Sequence, residues 1–355
     1  MSEELSKRRA AIDAIDERIV ALLNERAAQA RAIGELKGGA PAYRPEREAE
    51  VLRHVSSAGK GPLAPDRVAA VFSEIMSACR ALEQPMTVAY LGPEGTFSEM
   101  AVVKHFGRAV QGSPAASIDE AFRRVESKLV QNAVVPVENS TEGAIGRTLD
   151  LLLTTPLKIC GEVVLRVRQN LLSVSGAMEL YTRVYSHAQS LGQCHAWLSQ
   201  NLPGAERVPL SSNAEAARRA TAEADACAIG PEIAAERYGL KLVARSIEDD
   251  PRNMTRFLVL GTEDAGATGR DRTSIVMSAP NRPGAVHELI SPFAHHGVSM
   301  SRIESRPART GQWEYLFYVD LEGHASDSRL AQALAELRQR APFVKVFGSY
   351  PAADF

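Results

Sequence analysis

The sequence predicts a multidomain protein: an all-α segment, then an open α/β segment, then a small α+β unit of ferredoxin-like order. Three observations predict it. Residues 3 to 37 contain no proline and place apolar side chains at three- and four-residue steps. After Gln84-Pro85, short β-rich runs alternate with helical stretches. Beyond the Gly-, Thr- and charge-rich tract GTEDAGATGRDRT at 261–273, the patterns strand, helix, strand, strand, helix, strand follow one another once.

Composition narrows the function. A chain of 355 residues, 45% hydrophobic, can fill two or three separate cores. With 24% charged residues and a formal net charge of -2 there is no global basic field for nucleic acid or an anionic membrane, so small anions must be met by local arginines. The start, MSEELSKRRAAID, lacks the apolar core of a signal peptide, and no run approaches the ~18 apolar residues of a membrane span, so a cytoplasmic protein is expected. Cys79, Cys160, Cys194 and Cys227 lie far apart without metal-ligand spacing, and neither metal nor cofactor is expected.

In the helical segment Ile12, Ile15, Ile19, Leu22, Leu23, Ile33 and Leu36 form one stripe. At 1.5 Å per residue this helix runs roughly 50 Å, longer than a small domain is wide, so a second chain must cover its seam and a homodimer or larger homo-oligomer is expected. Gly38-Gly39 and Pro41 end it; a second helix follows Pro45, and a third runs from about Pro65 to Glu83 with Val68, Val71, Phe72, Ile75, Met76 and Leu82 inward. In the next segment MTVAYLG, NAVVPVEN, TRVYSH and ACAIGP read as strands that each feed a helix. The expected domains are 1–84, 85–262 and 272–350, with no solenoid repeat.

Charges interrupt the first seam. Arg26 occupies the place between Ile19 and Ile33, Arg9 and Lys37 project near its ends, and Cys79 and Glu83 continue the stripe of the third helix. An arginine on a buried stripe is costly unless it meets an anion, so spacing alone allows either buried ion pairs in a dimerisation module or a site for a small anion. The pattern R-x6-D-x9-R, then K, then P-x5-R-E, read as Arg9, Asp16, Arg26, Lys37, Pro41, Arg47 and Glu48, resembles the all-helical, AroQ-type chorismate mutases, which are intertwined dimers. Their chemistry needs no nucleophile: the dianion must be fixed in its reactive shape, and donors must meet the negative charge growing on the ether oxygen. The resemblance implies that Arg26 and the partner subunit's Arg9 hold the carboxylates, that Lys37 donates to the ether oxygen, and that Glu48 holds the ring hydroxyl with help from the backbone of Arg44. Cys79 stands where the family often has serine and Glu83 where it often has glutamine; a carboxylate cannot donate, so Glu83 is expected to work in its protonated form.

Three strand-to-helix junctions of the α/β segment, GPEGTFSE at 92–99, VENSTEG at 137–143 and SHAQSLGQ at 186–193, present hydroxyls, amides and an imidazole where helix N-termini favour anions. Each alone is ordinary turn and cap chemistry. With DDPRNMTRF at 249–257 added, the set resembles the prephenate dehydratases, whose two lobes enclose a cleft as in periplasmic binding proteins. The resemblance implies that Thr255 donates a hydrogen bond to the departing hydroxyl, since a threonine is too weak an acid to deliver a full proton unaided. It further implies that Arg256 anchors a carboxylate, that Thr96, Ser98, Asn139, Ser140, Thr141, His187 and Gln189 line the cleft, and that Asn253 and Phe257 complete the N-x-T-R-F element.

In the last unit NRPGAVHEL (281–289) and ESRP (304–307) resemble the amino-acid-sensing ACT domain. Gly284, Ala285, Val286, Glu304, Ser305 and Arg306 are then the expected contacts of an effector, L-phenylalanine; the alternative is an interaction module that binds nothing. Together the resemblances imply an enzyme of phenylalanine synthesis that takes chorismate to prephenate and prephenate to phenylpyruvate. Two rivals remain at this stage: an arogenate-using dehydratase, and a non-enzymatic amino-acid sensor, which would want leucine where Arg9, Arg26 and Lys37 stand.

Overall fold

The computed structural model describes residues 3–280, 282–308 and 315–353. Residues up to Met86, with Phe106–Gln111, form one compact unit and the remainder forms a second. The first unit is built from α1 (Glu3–Lys37), α2 (Pro45–Ala58) and α3 (Pro65–Glu83). Proline at the first helical position starts α2 and α3, where its missing N–H costs nothing, and Gly38 and Gly39, both at positive φ, end α1. Helix α3 packs against both others and buries Met76, Ser77, Cys79 and Arg80. Its approach to α1 needs Gly34: a Cβ there would stand 2.5 Å from Glu83 Cγ. No residue of α1 is buried, and Ile12, Ile15, Ile19, Leu22, Ile33 and Leu36 are exposed.

The second unit begins with a lobe of β1 (Thr87–Leu91), α4 (Phe97–Phe106), β2 (Gln111–Ala115), α5 (Ile118–Glu126), β3 (Asn132–Asn139), the short β4 (Gly143–Ala144), α6 (Gly146–Thr154) and β5 (Lys158–Arg166). A second lobe follows: β6 (Asn170–Ser173), β7 (Arg183–His187), α7 (Ala188–Gln193), α8 (His195–Asn201), β8 (Glu206–Leu210), α9 (Asn213–Ala220), β9 (Ala226–Gly230), α10 (Glu232–Tyr238) and β10 (Lys241–Ala244). Its sheet runs β10-β6-β9-β7-β8. The chain then returns as β11 (Met254–Gly261), which inserts between β3 and β5 to complete the first sheet, β2-β1-β3-β11-β5. Two crossings therefore join the lobes, strapped together by Val167 N donating to Asn253 O and Ile247 N to Gln169 O, both at 2.8 Å. Strand β3 is apolar and buried along most of its length, as a central strand covered on both faces must be.

The last segment folds as β12 (Asp271–Ala279), α11 (Ala285–His295), β13 (Met300–Pro307), β14 (Tyr315–Glu322), α12 (Ser328–Arg340) and β15 (Val344–Pro351), an antiparallel sheet of order β13-β14-β12-β15. Strand alternation divides its side chains. Ile275, Met277, Val319 and Leu321 pack on Leu289, Phe293, Leu330 and Leu337 of the two helices. Val276, Leu316, Tyr318, Phe347 and Tyr350 on the other face join the core of the first lobe, against Val137, Leu149, Leu152 and Ile159. Burying each of the larger apolar side chains contributes about 1.5–3 kcal/mol, so sheet and lobe stand as one packed body. Gly348 permits the closest approach, with φ +155 and a built Cβ that would lie 2.2 Å from Ile159 O.

Candidate functional site

The cleft between the two lobes of the second unit has a volume of about 490 Å³, within the range of small-molecule sites. Thr96, Phe97 and Ser98 from the start of α4, His187, Gln189 and Ser190 from the start of α7, and Ser211, Ser212 and Asn213 from the start of α9 all line it. Three helix N-termini thus turn their positive dipole ends toward one space, which suits a small acid.

On the cleft floor Thr255 and Asn139 stand opposite each other in β11 and β3. Asn139 Oδ1 accepts from Thr141 N at 3.0 Å and Glu142 N at 3.3 Å, which fixes the amide so that Nδ2 faces Thr255. That Nδ2 donates to Thr255 Oγ1 at 2.9 Å and to Asn253 Oδ1 at 3.0 Å. Because the threonine oxygen accepts here, its own hydrogen is directed elsewhere, ready for an acceptor in the cleft. Ser140 Oγ donates to Asn253 Oδ1 at 3.3 Å and accepts from Met254 N at 2.9 Å, tying the two strand ends together. Ser140 and Thr141 lie at the exposed turn after β3, and Asn253 is buried beneath it.

The opposite lobe supplies polar groups that the motifs did not single out. Asn213 Oδ1 accepts from His187 N and Ser186 Oγ, both at 3.0 Å, and its Nδ2 donates to Ser190 Oγ at 2.9 Å. Gln169 Nε2 donates to Ser190 Oγ and to Gln193 Oε1, each at 3.0 Å. His187 caps α7, its Nδ1 accepting from Gln189 N at 3.4 Å. The signal that could have found Asn213 is VPLSSNAE, a fourth strand-to-helix junction of the same polar kind.

Arg256 is a correction. Neighbours on a strand point to opposite faces, so with Thr255 in the cleft Arg256 faces the C-terminal sheet. There Nε donates to Glu162 Oε2 at 2.7 Å, Nη1 to Asp320, and Nη2 to Tyr350 Oη at 2.9 Å. Arg272 donates to both Glu162 oxygens at 2.6 Å, and Ser274 to Asp320. Burial works to raise the Asp320 pKa, but the Arg256 charge, the hydrogen bonds from Ser274 and Arg256 and the Arg302 charge hold it below the usual aspartate value. Its donors are thus committed to protein groups on the face away from the cleft. Phe257, next along, is buried.

In the first unit α1, α2 and α3 gather a second set of charges. Lys37 Nζ stands 2.7 Å from Glu83 Oε1, a partner that the sequence did not anticipate for either. Glu48 pairs with Arg80, whose guanidinium also donates to Phe106 O and is buried. Burial raises the Glu48 pKa, opposed by Arg80 and by the nearby charge of Arg26. Cys79, on α3, is buried. Arg80 was legible only as a helix residue near Cys79, because nothing in the sequence says which arginine Glu48 meets. Two candidates face outward instead: Arg47 pairs with Glu50 at 2.5 Å, and Arg44 with Glu46 at 2.6 Å, both largely exposed. Arg9 is exposed on α1.

Among the C-terminal candidates, Gly284 adopts φ +79 as the N-cap of α11, Ala285 is buried and Val286 is exposed. Asn281 lies outside the described residues. Arg302, Glu304 and Arg306 share the half-buried side of β13, and Ser305 is exposed. Arg306 Nη1 donates to Gly146 O at 2.6 Å and lies 3.4 Å from Asp150. No helix among the described residues is long and apolar enough to cross a membrane.

Three family models match the chain: chorismate mutase type II over residues 8–84, prephenate dehydratase over 88–265 and the ACT domain over 273–339. It is 53% identical to the bifunctional chorismate mutase/prephenate dehydratase of Neisseria gonorrhoeae, over 99% of this chain and 98% of that one. Identity to the protein of the same description from Pseudomonas aeruginosa is 48%, with the same coverage of each. Among solved structures, the prephenate dehydratase of Arthrobacter aurescens in complex with L-Phe is 38% identical and superposes with a TM-score of 0.69 over 76% of this chain and 90% of that one.

Proposed function

This chain belongs to the family of bifunctional chorismate mutase/prephenate dehydratases, and on that premise we propose how its residues share the two reactions. It rearranges chorismate to prephenate, converts prephenate to phenylpyruvate with loss of water and CO2, and is regulated by phenylalanine.

In the dehydratase, departure of the ring hydroxyl and of a carboxylate is one aromatising step, so the site must hold the acid groups and meet the leaving oxygen with a donor. The helix N-termini at Thr96–Ser98, His187–Ser190 and Ser212–Asn213 hold carboxylates by backbone N–H and hydroxyl groups. Thr255 donates to the leaving hydroxyl, aligned by Asn139. The observation that carries this reading is the hydrogen bond from Asn139 Nδ2 to Thr255 Oγ1 on the cleft floor, 2.9 Å long.

In the mutase, Arg26 and the partner subunit's Arg9 take the carboxylates of chorismate, Lys37, held in place by Glu83, donates to the ether oxygen, and Glu48, steadied by Arg80, meets the ring hydroxyl. The working form is a homodimer built on the exposed stripe of α1. Arg9 and Arg26 lie 17 residues apart on this helix, about 25 Å along its axis, too far for both to hold one small dianion within a single chain. Phenylalanine binds around Gly284–Val286 and Glu304–Arg306. We place the enzyme in the cytoplasm, where its four buried thiols stay reduced.

The test is to give the purified protein chorismate in one tube and prephenate in another and follow phenylpyruvate. Formation from both is expected; in Thr255→Ala it ceases while chorismate is still consumed. Near-normal dehydration by that variant would refute the role of Thr255.

A further inference from the structure

The two residues that face the cleft, Thr255 and Asn139, are a cross-strand pair, and so are their immediate neighbours Arg256 and Glu138. By strand alternation the second pair emerges on the opposite face, against the C-terminal sheet. Each is met there by a charge of that sheet: Arg256 by Asp320 and Glu138 by Arg302, whose Nε donor lies 2.8 Å from Glu138 Oε2. Arg302 is largely buried, and its Nη2 has no hydrogen-bond partner among the described residues. Glu304 Oε2 lies 3.9 Å from that spare donor, two residues along the same side of β13. A buried guanidinium nitrogen without a partner is unfavourable, and a small rotation of either side chain would supply one.

We propose that Arg302 is a positioning residue for dehydration: bound to Glu138 it keeps Asn139, and through it Thr255, aligned, and an effector held at residues 304–306 draws it toward Glu304 and lets that alignment go. The inference rests on the regulatory reading of the C-terminal unit. Two arrangements of one side chain then define two states, and phenylalanine acts by preferring the second.

The experiment uses the full-length protein and measures kcat and KM for prephenate with and without phenylalanine, the equilibrium Kd for phenylalanine, and the mutase rate as a check on folding. In Glu138→Gln, kcat is expected to fall by about fivefold or more without effector, phenylalanine to bind more tightly, and the remaining inhibition to shrink, since this variant already populates the inhibited state; in Arg302→Met, which can form neither pair, kcat is expected to fall likewise and phenylalanine to change it little. Arg302→Lys should recover part of the rate. A wild-type protein that neither binds phenylalanine nor responds to it overturns the regulatory reading, and this inference with it. If the wild type responds, variants that keep wild-type kcat and inhibition overturn the inference alone. So does a lower kcat with weaker phenylalanine binding in Glu138→Gln, the result of a merely structural role.

Discussion

Asn139 and Thr255 are joined across β3 and β11 by a hydrogen bond in which the amide is donor and the threonine oxygen acceptor. This polarity decides what the threonine can do. A group that accepts from Asn139 has its hydrogen to spare, whereas a threonine donating to a neighbour would have none for a leaving hydroxyl.

Asn139→Asp therefore tests orientation rather than size. An ionised aspartate has no N–H to give, so Thr255 would donate to it and turn its hydrogen away from the cleft. Dehydration is expected to fall by about 10²-fold, on the scale of losing one aligned donor, with the mutase unaffected. Assays of both reactions on one preparation would reveal it, and an unchanged dehydratase kcat would contradict the assignment.

Arg256 behaves as a buried ion-pair member, and its removal should register in stability more than in substrate binding. Arg256→Met leaves Asp320 without its guanidinium and Glu162 with Arg272 alone, for which a loss of about 3–5 kcal/mol is expected. Urea unfolding would measure it. A variant of native stability with a raised KM for prephenate would restore Arg256 to the cleft as a carboxylate anchor.

Acid should release the same contact. The Asp320 pKa is lowered in the folded protein from its ordinary 3.8, so the folded state binds this proton less readily than the unfolded chain. The stability that this contributes is complete above 3.8, shrinks as pH falls below it toward the lower folded value, and is absent below both. Thermal midpoints should carry this component unchanged from neutrality to about pH 5 and lose it below pH 3.8. Asp320→Asn should remove that acid step while lowering stability at neutral pH; an identical acid limb in the variant would assign the step to other carboxylates.

The long helix was legible because 35 residues without proline end in two glycines, and those signals are local. Thr255 was legible because its motif is compact. Arg256 was misread although alternation alone separates it from Thr255: its partners lie on strands far along the chain, and an arginine beside a catalytic motif invites the wrong anion. Asn213 and Gln169 were missed for a related reason. Their role depends on Ser190 and Gln193 being brought beside them, and no spacing within VPLSSNAE or VRQNLL records that meeting.

The exposed stripe of α1 and the distance between two of its arginines together predict subunit complementation. If each mutase site takes Arg26 from one chain and Arg9 from the other, Arg9→Ala and Arg26→Ala homodimers have both sites damaged, each in a different half. Unfolding the two together and refolding the mixture produces heterodimers in which one site has both arginines intact and the other has neither. Random pairing makes half the dimers mixed, so mutase activity should return to about a quarter of the wild-type value. The dehydratase, whose cleft lies within one chain, should stay unchanged throughout. Mutase activity in the refolded mixture that stays at the average of the two variants would mean that both arginines serve from the same chain, and would leave the stripe Ile12, Ile15, Ile19 and Leu22 in need of another cover.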